Sequence, residues 1–251
     1  VQKIVLICAE KNVPIVSRGA GTSLSGGALP HAEGIVLSLS KMAQILNIDV
    51  NAQSITVQPG VRNLAVSEAV KHLGLYYAPD PSSQIACSIG GNVAENAGGV
   101  HCLKYGLTLH NVLGVTLVMA TGELLVLDQQ SLQSQGYDLL ALVIGSEGML
   151  GIVVEVTLKL LPIPQCAQAL LAVFDDVEKA GNSVASIISG GIIPAGVEMM
   201  DNPAIRAAEA FVHAGYPVDA AAILICELDG TEAEVESQIS KVDSILKSSG
   251  A

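Results

Sequence analysis

The residues best suited to chemistry in this sequence are the glycines of two dense segments. The first segment is SRGAGTSLSGG (residues 17–27) and the second is SIGGNVAENAGG (residues 88–99), which also carries Asn92 and Asn96. Glycine lets a backbone approach a ligand closely, and successive backbone N–H groups bind phosphate without a lysine. Either segment alone is more typical of a mobile turn, but the two together predict a site for a diphosphate.

Neither segment matches the common nucleotide-binding fingerprints. The first is not followed by Gly-Lys-Ser/Thr, so it is not a Walker A motif. It also lacks the Gly-x-Gly-x-x-Gly spacing, and no acidic residue stands at the expected distance after a second strand. The sequence therefore disfavours NAD binding of the Rossmann type.

Composition excludes several classes of partner. The 251 residues are 50% hydrophobic and 14% charged, which is typical of a globular protein. The net charge is −12 without a basic patch, so we expect neither nucleic acid nor an anionic membrane surface as a partner. Aromatic residues make up 3%, too few for a surface that stacks bases. No apolar run reaches the length of a membrane span.

A metal or disulfide site is poorly supported. The cysteines are scattered and form no Cys-x-x-Cys pair, which favours reduced, buried thiols. His101 and Cys102 are adjacent, but no second pair of ligands accompanies them, so we interpret them as structural. We predict no metal ligands in this chain.

Patterning predicts the elements that hold the glycine segments. We expect a helix over 1–11, a strand at Ile15 and Val16 that enters the first segment, strands in 34–40 and 54–60, and a helix that ends near Gly74. The stretch 76–99 shows little periodicity. Further along, a hairpin is expected with its turn at Thr121-Gly122, and then a strand with one buried face in 151–162.

LPIPQ (161–165) is the best candidate for a domain boundary, because two prolines interrupt the pattern. Strands and helices then alternate: strands over 169–173, 195–200 and 221–228, and helices over 175–189, 202–212 and 231–248. Thr231 and Glu234 predict a capping box for the last helix. We expect two domains, 1–162 and 166–251. The sequence reads as an excised fragment, truncated at both ends, because it begins without Met as though inside a helix.

Five motifs in order resemble a known family: VPIVSRGAGTSLSGGA, APDPSS, SIGGNVAENAGG, KYG and GSEGMLGIVVEVTLKLLP. Over residues 1 to about 165 the chain is similar to the PCMH-type FAD-binding domain of the vanillyl-alcohol-oxidase superfamily. The most similar branch is that of FAD-linked 2-hydroxy-acid dehydrogenases, which includes the FAD-linked subunit of glycolate oxidase, D-lactate dehydrogenase and D-2-hydroxyglutarate dehydrogenase. The resemblance implies an α+β fold, with the PCMH-type domain followed by a partial, ferredoxin-like α+β cap domain.

The resemblance also implies a set of FAD-binding residues. Backbone N–H groups of the first segment would wrap the diphosphate, and the remaining residues would line the rest of the cofactor: Arg18, Gly19, Ala20, Gly21, Thr22, Ser23, Gly26, Pro79, Asp80, Gly90, Gly91, Asn92, Asn96, Gly98, Gly99, Tyr105, Gly106, Gly148, Ile152 and Val153. A surface salt bridge for Arg18, a satisfied buried hydroxyl for Tyr105 and plain strand core for Ile152 and Val153 are alternative interpretations.

This sequence departs from the family pattern at two positions. Ser17 stands where many relatives carry Pro, and Ser23 where many carry Gly. A serine at position 23 requires an ordinary φ or some strain. Some superfamily members bind FAD covalently through a histidine. We expect non-covalent FAD here, because His31 lies outside the first segment, and His101, just after the second, is the position that would contradict this prediction.

In the resembled enzymes a 2-hydroxy acid such as glycolate or D-lactate gives a hydride to flavin N5. The base and metal ligands of the family lie further downstream, so we assign no catalytic residue to this chain and expect the fragment to be inactive alone. The resemblance implies iron–sulfur and second flavin-binding subunits as partners, and a cytoplasmic location peripheral to the inner membrane through those subunits. A non-redox module that holds another diphosphate ligand is the alternative function.

Overall fold

The computed structural model describes residues 1–128 and 136–251, which divide into two compact units. The first unit comprises Val1–Gly99 and Gly106–Ile163, and the second comprises Val100–Tyr105 and Pro164–Ala251. The break between Ile163 and Pro164 falls within the LPIPQ stretch. The short segment 100–105 leaves the first unit and returns to it, which no feature of the sequence indicated. The α+β fold class is confirmed.

The first unit begins with helix α1 and a parallel pair of strands. Helix α1 (Gln2–Lys11) ends at Asn12, which adopts the left-handed conformation with φ 55°. Strand β1 (Ile15–Arg18) pairs with β2 (Ile35–Ser38), with Ile15 opposite Ile35. The first glycine segment therefore leaves β1 directly and forms part of the connection to β2.

A five-stranded antiparallel sheet forms the body of the first unit. Its strand order is β3-β4-β8-β6-β7. The strands are β3 (Ile45–Asp49), β4 (Ser54–Val57), β6 (Val112–Val118), β7 (Leu124–Asp128) and β8 (Ile152–Lys159). The hairpin between β6 and β7 turns at Gly122, with φ 79° as its position requires. Strand β3 was missing from the sequence-based prediction, because it is an exposed edge strand with little patterning.

Helices cover one face of this sheet and complete the core. Helix α2 (Asn63–Val70) continues as a 3-10 turn (Lys71–Leu73) and stops at Gly74, as predicted. The remaining elements are β5 (Leu75–Tyr76), α3 (Ile89–Glu95), α5 (Thr108–Asn111), α6 (Leu139–Val143) and β9 (Leu161–Pro162), which pairs with β5. Fully buried side chains from the sheet and the helices, such as Val156, Val66 and Val93, form one core cluster.

The second glycine segment is not the irregular loop that the sequence predicted. Its first half forms helix α3. Only residues 96–99, which follow the helix, have no regular secondary structure. Two features outweigh the low helix propensity of Gly90 and Gly91. Ser88 accepts a hydrogen bond from the Gly91 N–H as the N-cap, and Ile89 and Val93 are fully buried in the core of the first unit.

The second unit is a three-stranded antiparallel sheet with helices. Its strands and helices alternate along the chain as the sequence predicted. The strand order is β10-β12-β11, with β10 (Cys166–Phe174), β11 (Gly196–Asp201) and β12 (Ala222–Gly230). Its helices are α4 (Cys102–Tyr105), α7 (Val177–Ser189), α8 (Asn202–Val212) and α9 (Glu232–Ser248). The capping box of α9 is present: the Thr231 Oγ1 accepts from the Glu234 N–H, and Glu234 accepts from the Thr231 N–H.

Candidate functional site

The first glycine segment, helix α3 and the turn 145–148 enclose a cavity of about 180 Å³ in the first unit. More than half of the sequence-predicted site residues line it: Arg18, Gly19, Ala20, Gly21, Thr22, Ser23, Gly90, Gly91, Asn92, Gly148 and Val153. The cavity is smaller than the roughly 300–1,000 Å³ that encloses a drug-sized ligand. Its size suits one part of a dinucleotide, such as the diphosphate.

Free backbone donors are the main chemical feature of the first segment. The N–H groups from Gly19 to Ser23 have no acceptor within the protein among the residues that the structure describes. Most of this stretch is solvent-exposed, and all of it lines the cavity. Five successive unpaired N–H groups along a cavity are the kind of backbone donors that bind phosphate oxygens.

Two glycines of this segment are required by the local geometry. A Cβ on Gly19 would lie 2.2 Å from the Ser88 Oγ, because the segment passes directly over the N-cap of α3. Gly21 has φ 72°, and a Cβ there would lie 2.8 Å from an Arg18 guanidinium nitrogen. The Arg18 side chain thus folds over the segment, and no described carboxylate forms an ion pair with it.

Helix α3 contributes differently, because its first N–H groups are already paired. The Gly90 N–H donates to the Pro59 carbonyl at 2.8 Å, and the Gly91 N–H donates to the Ser88 Oγ over a longer distance of 3.4 Å. The Gly90 N–H is therefore already used within the protein and is not a free donor. Gly90 lets α3 pack closely against Pro59, whereas Gly91 leaves open space at this wall of the cavity.

A buried amide network fixes the position of α3 against α2. The Asn92 Nδ2 donates to the Asn63 Oδ1 at 2.8 Å, and the Asn63 Nδ2 donates to the Pro79 carbonyl at 2.9 Å. Asn63 and Asn92 are almost completely buried, so each of these hydrogen bonds is shielded from water. Asn63 was missed by sequence reasoning, since nothing in its neighbourhood distinguishes it from a surface asparagine at the start of a helix.

Two carboxylates that sequence reasoning also missed line the cavity, Glu95 and Glu147. Glu147 has φ 54° and lies between Gly145 and Gly148, which also have positive φ. Its N–H donates to the Ala94 carbonyl at the end of α3, which holds this tight turn against the helix. The cavity therefore carries Arg18 and two glutamates, so its affinity for an anion has to come from backbone donors.

The other predicted residues lie outside the cavity lining. Pro79 accepts from Asn63, and Asp80 packs against Gly99, where a Cβ would lie 2.4 Å from the Asp80 carbonyl oxygen. Asn96 is the left-handed C-cap of α3 and accepts from the Leu109 N–H. Gly98 is half-buried beyond α3, Gly26 lies in the turn that precedes Leu29, and Ile152 packs in a small cluster with Val5.

Tyr105 and Gly106 fall on either side of a unit boundary. Tyr105 belongs to the second unit, where its hydroxyl donates to the Asp229 Oδ2 at 2.6 Å. Gly106 belongs to the first unit and has φ 80° beside His110. The satisfied hydroxyl favours the structural interpretation of Tyr105 over a role in the site.

The two departures from the family pattern are accommodated without strain. Ser23 is not among the residues with positive φ, so it adopts the ordinary conformation that a serine requires. The Ser17 Oγ lies in the cavity wall beside Gly148, 3.0 Å from where a Cβ of that glycine would be. No histidine is found among the described lining residues, and His31 instead accepts the Glu33 N–H.

Within residues 1–128 and 136–251, no group of three or more His, Cys, Asp and Glu side chains is arranged to hold a metal ion. Among the same residues, no helix combines the length and the apolar character needed to cross a membrane.

Curated proteins that resemble this chain include glycolate oxidase subunits and D-lactate dehydrogenases. It is 61% identical over 251 residues to "Glycolate oxidase subunit GlcD" of Escherichia coli strain K12, covering all of this chain and 50% of that protein. It is 42% identical to the GlcD of Bacillus subtilis and 35% identical to "D-lactate dehydrogenase" of Anaerostipes hadrus, covering 54% of each. The chain thus spans about half the length of these relatives.

A solved structure shows the same fold at low sequence identity. An alkyldihydroxyacetonephosphate synthase superimposes with a TM-score of 0.87 at 21% identity, covering all of this chain and 49% of that one. This likeness supports the α+β architecture only.

Family models match both parts of the chain. The model described as "FAD linked oxidases, C-terminal domain" matches residues 163–251, and the model described as "FAD binding domain" matches residues 1–128. The free donors of the first segment and the glycine-lined walls of the cavity fit the diphosphate of FAD. The chain belongs to the family of FAD-binding domains, and FAD is its cofactor.

Proposed function

We propose that this chain is the FAD-binding part of a dehydrogenase or oxidase that acts on a 2-hydroxy acid of the glycolate or D-lactate type. The observation that carries the proposal is the row of unpaired N–H groups from Gly19 to Ser23 along the cavity. The names of the relatives, a glycolate oxidase subunit and a D-lactate dehydrogenase, support the substrate class.

The residues of this chain bind and orient the cofactor. Gly19 to Ser23 hold the diphosphate through backbone donors, and Gly91 leaves space for it beside α3. Arg18 supplies the positive charge of the lining. When bound, FAD would supply the redox chemistry, with flavin N5 as the hydride acceptor. Non-covalent attachment of FAD stays a prediction from the sequence.

The remaining roles stay predictions from the family resemblance. Those are contacts to the cofactor by Gly26, Pro79, Asp80, Asn96, Gly98, Gly99, Tyr105, Gly106 and Ile152. We assign no catalytic base and no metal ligand to this chain. Iron–sulfur and second flavin-binding subunits as partners, and a cytoplasmic location at the inner membrane through them, belong to the same proposal. The word "subunit" in the name of the E. coli relative supports an assembly.

Flavin retention and substrate turnover test the proposal. The protein as its gene encodes it is loaded with FAD and desalted, and we expect a flavin absorption band to remain. A panel of 2-hydroxy acids is then assayed with a dye as electron acceptor, and we expect glycolate or D-lactate to reduce the dye. Bound flavin with no reduction of the dye by any of these acids would contradict the proposed activity and favour the non-redox alternative.

A further inference from the structure

The tip of the first glycine segment is joined to helix α3 by a chain of side-chain hydrogen bonds. The Ser25 Oγ lies 3.1 Å from the Glu95 Oε1 and 3.2 Å from its Oε2, across 70 residues of sequence. The Ser23 Oγ lies 2.8 Å from the Ser25 Oγ and also accepts the Ser25 N–H. Since Ser25 donates its hydroxyl proton to the carboxylate, Ser23 donates to Ser25.

These bonds are the main attachment of a segment that packs poorly. Leu24 at the tip is fully exposed, and Ser23 and Ser25 are exposed as well. The five N–H groups that precede the tip have no acceptor among the described residues. A segment with so few buried contacts and internal bonds is easily displaced unless something ties its tip down.

The other end of the attachment is rigid. Glu95 is the last residue of α3, whose Val93 is fully buried. The carbonyls of Val93 and Ala94 accept from the Gly145 and Glu147 N–H groups, at 2.8 Å in each case. Glu95 is therefore held by the helix, and the helix is held by the core and the turn 145–148.

A carboxylate at this position carries two electrostatic costs. It lies at the C-terminal end of a helix, where negative charge is unfavourable, and it lines a cavity that receives a diphosphate. We propose that Ser25 and Glu95 form a clasp that closes the first glycine segment over the diphosphate of FAD and slows its release. Glu95 is then a positioning residue, and this inference rests on the cavity being the diphosphate site proposed above.

Release of FAD from matched variants tests the Ser25–Glu95 clasp. In the protein as its gene encodes it, S25A and E95A are each expected to speed the release of FAD about two- to tenfold, the range for one hydrogen bond to a charged group that is partly exposed. The double variant is expected to release FAD no faster than either single variant, because both remove the same bond. E95Q keeps an acceptor oxygen without the charge and is expected to fall between wild type and E95A.

Ser40 provides a matched control. The Ser38 and Ser40 Oγ atoms lie 3.0 Å apart with the same i, i+2 spacing, and the Ser40 N–H donates to the Ser38 Oγ. No hydrogen bond joins this pair to a carboxylate among the described residues, and neither serine lines the cavity. We therefore expect S40A to release FAD at the wild-type rate.

Several outcomes would overturn the clasp. Slower release from E95A would show that the carboxylate only repels the diphosphate, and additive effects of S25A and E95A would show that the two residues act separately. Hydrogen exchange of residues 19–28 in the FAD-free protein provides an independent readout. We expect faster exchange in S25A and E95A but not in S40A, and equal exchange in all variants would refute the clasp. If wild type retains no FAD, the proposed function fails and the effect on FAD release fails with it, whereas the exchange experiment still decides whether Ser25 and Glu95 hold the segment closed.

Discussion

Gly91 is the position where a ligand role and a structural role predict opposite effects of one substitution. It lies in the first turn of α3 with ordinary helical geometry, where glycine costs about 0.5–1 kcal/mol relative to alanine. A Cβ at Gly91 would meet only the Ser88 Oγ within 4 Å, at 3.3 Å. The G91A variant is therefore expected to raise the free energy of unfolding of the FAD-free protein, by up to about 1 kcal/mol.

The effect on FAD is expected to have the opposite sign. Gly91 lines the cavity, and beyond the Ser88 Oγ its missing side chain leaves open space there. A methyl group in that space displaces the diphosphate from the N–H groups of the first segment. We expect the Kd for FAD to rise at least about tenfold, which corresponds to about 1.4 kcal/mol of binding free energy.

The neighbouring glycine gives a matched comparison. A Cβ on Gly90 would lie 2.6 Å from the Pro59 Cβ and 3.2 Å from its Cα, atoms of a rigid ring and backbone. Overpacking of this kind costs about 1–3 kcal/mol, so G90A is expected to lower the free energy of unfolding even after the gain in helix propensity. Urea denaturation of the FAD-free proteins measures stability, and titration of flavin fluorescence measures the Kd for FAD.

Two results would refute this reasoning about Gly91. Wild-type affinity for FAD in G91A would show that the diphosphate does not use the space beside this residue. A G91A protein that is less stable than wild type by as much as G90A would show that the glycine serves the packing of α3. Only higher stability combined with weaker FAD binding supports the proposed role.

Three further predictions concern groups outside the cavity. In the second unit, the buried Asp229 accepts hydrogen bonds from the Lys104 ammonium and the Tyr105 hydroxyl. D229A is therefore expected to lower the free energy of unfolding by about 3 kcal/mol, as measured by urea denaturation. An unchanged urea midpoint would contradict this prediction. The Tyr77 hydroxyl is buried and forms no hydrogen bond of ordinary geometry among the described residues, although the Thr108 side chain interacts with it. Y77F is therefore expected to raise the melting temperature, and a lower one would show that the interaction with Thr108 is stabilising. Burial raises the pKa of the Cys226 thiol from 9.0 to about 11. In the native protein Cys226 should therefore resist alkylation by iodoacetamide at pH 9, which mass spectrometry measures. The contribution of Cys226 to the free energy of unfolding should be lost as the pH rises from 9 toward 11.

The second unit shows what patterning predicts well. The apolar stripe of α9 and its capping box, Thr231 with Glu234, follow from residue spacing alone, because a helix with one buried face leaves a regular trace in the sequence. No residue pattern in the sequence predicts that residues 100–105 belong to this unit. Their place in it depends on contacts of Lys104 and Tyr105 with Asp229, which is more than 120 residues away in the sequence.

Helix α3 shows where patterning fails. Its sequence, IGGNVAE, has two glycines and too few apolar residues to reveal a helical period. The Ser88 cap and the burial of Ile89 and Val93 hold it in place, and both depend on the rest of the fold. Local propensity was outweighed by tertiary packing, as happens commonly in short helices.

The glycines of the site now have separable physical explanations. Gly19 permits the close passage over Ser88, Gly21 takes a positive φ beneath Arg18, and Gly91 leaves space for a ligand. The sequence predicted the site from glycine density but not this division, because steric room depends on neighbours that are distant in the chain. The same holds for Glu95 and Glu147. In the proposed site the carboxylates of the cavity would oppose a diphosphate, so we expect binding to depend on the unpaired backbone donors and on whatever holds the first glycine segment closed.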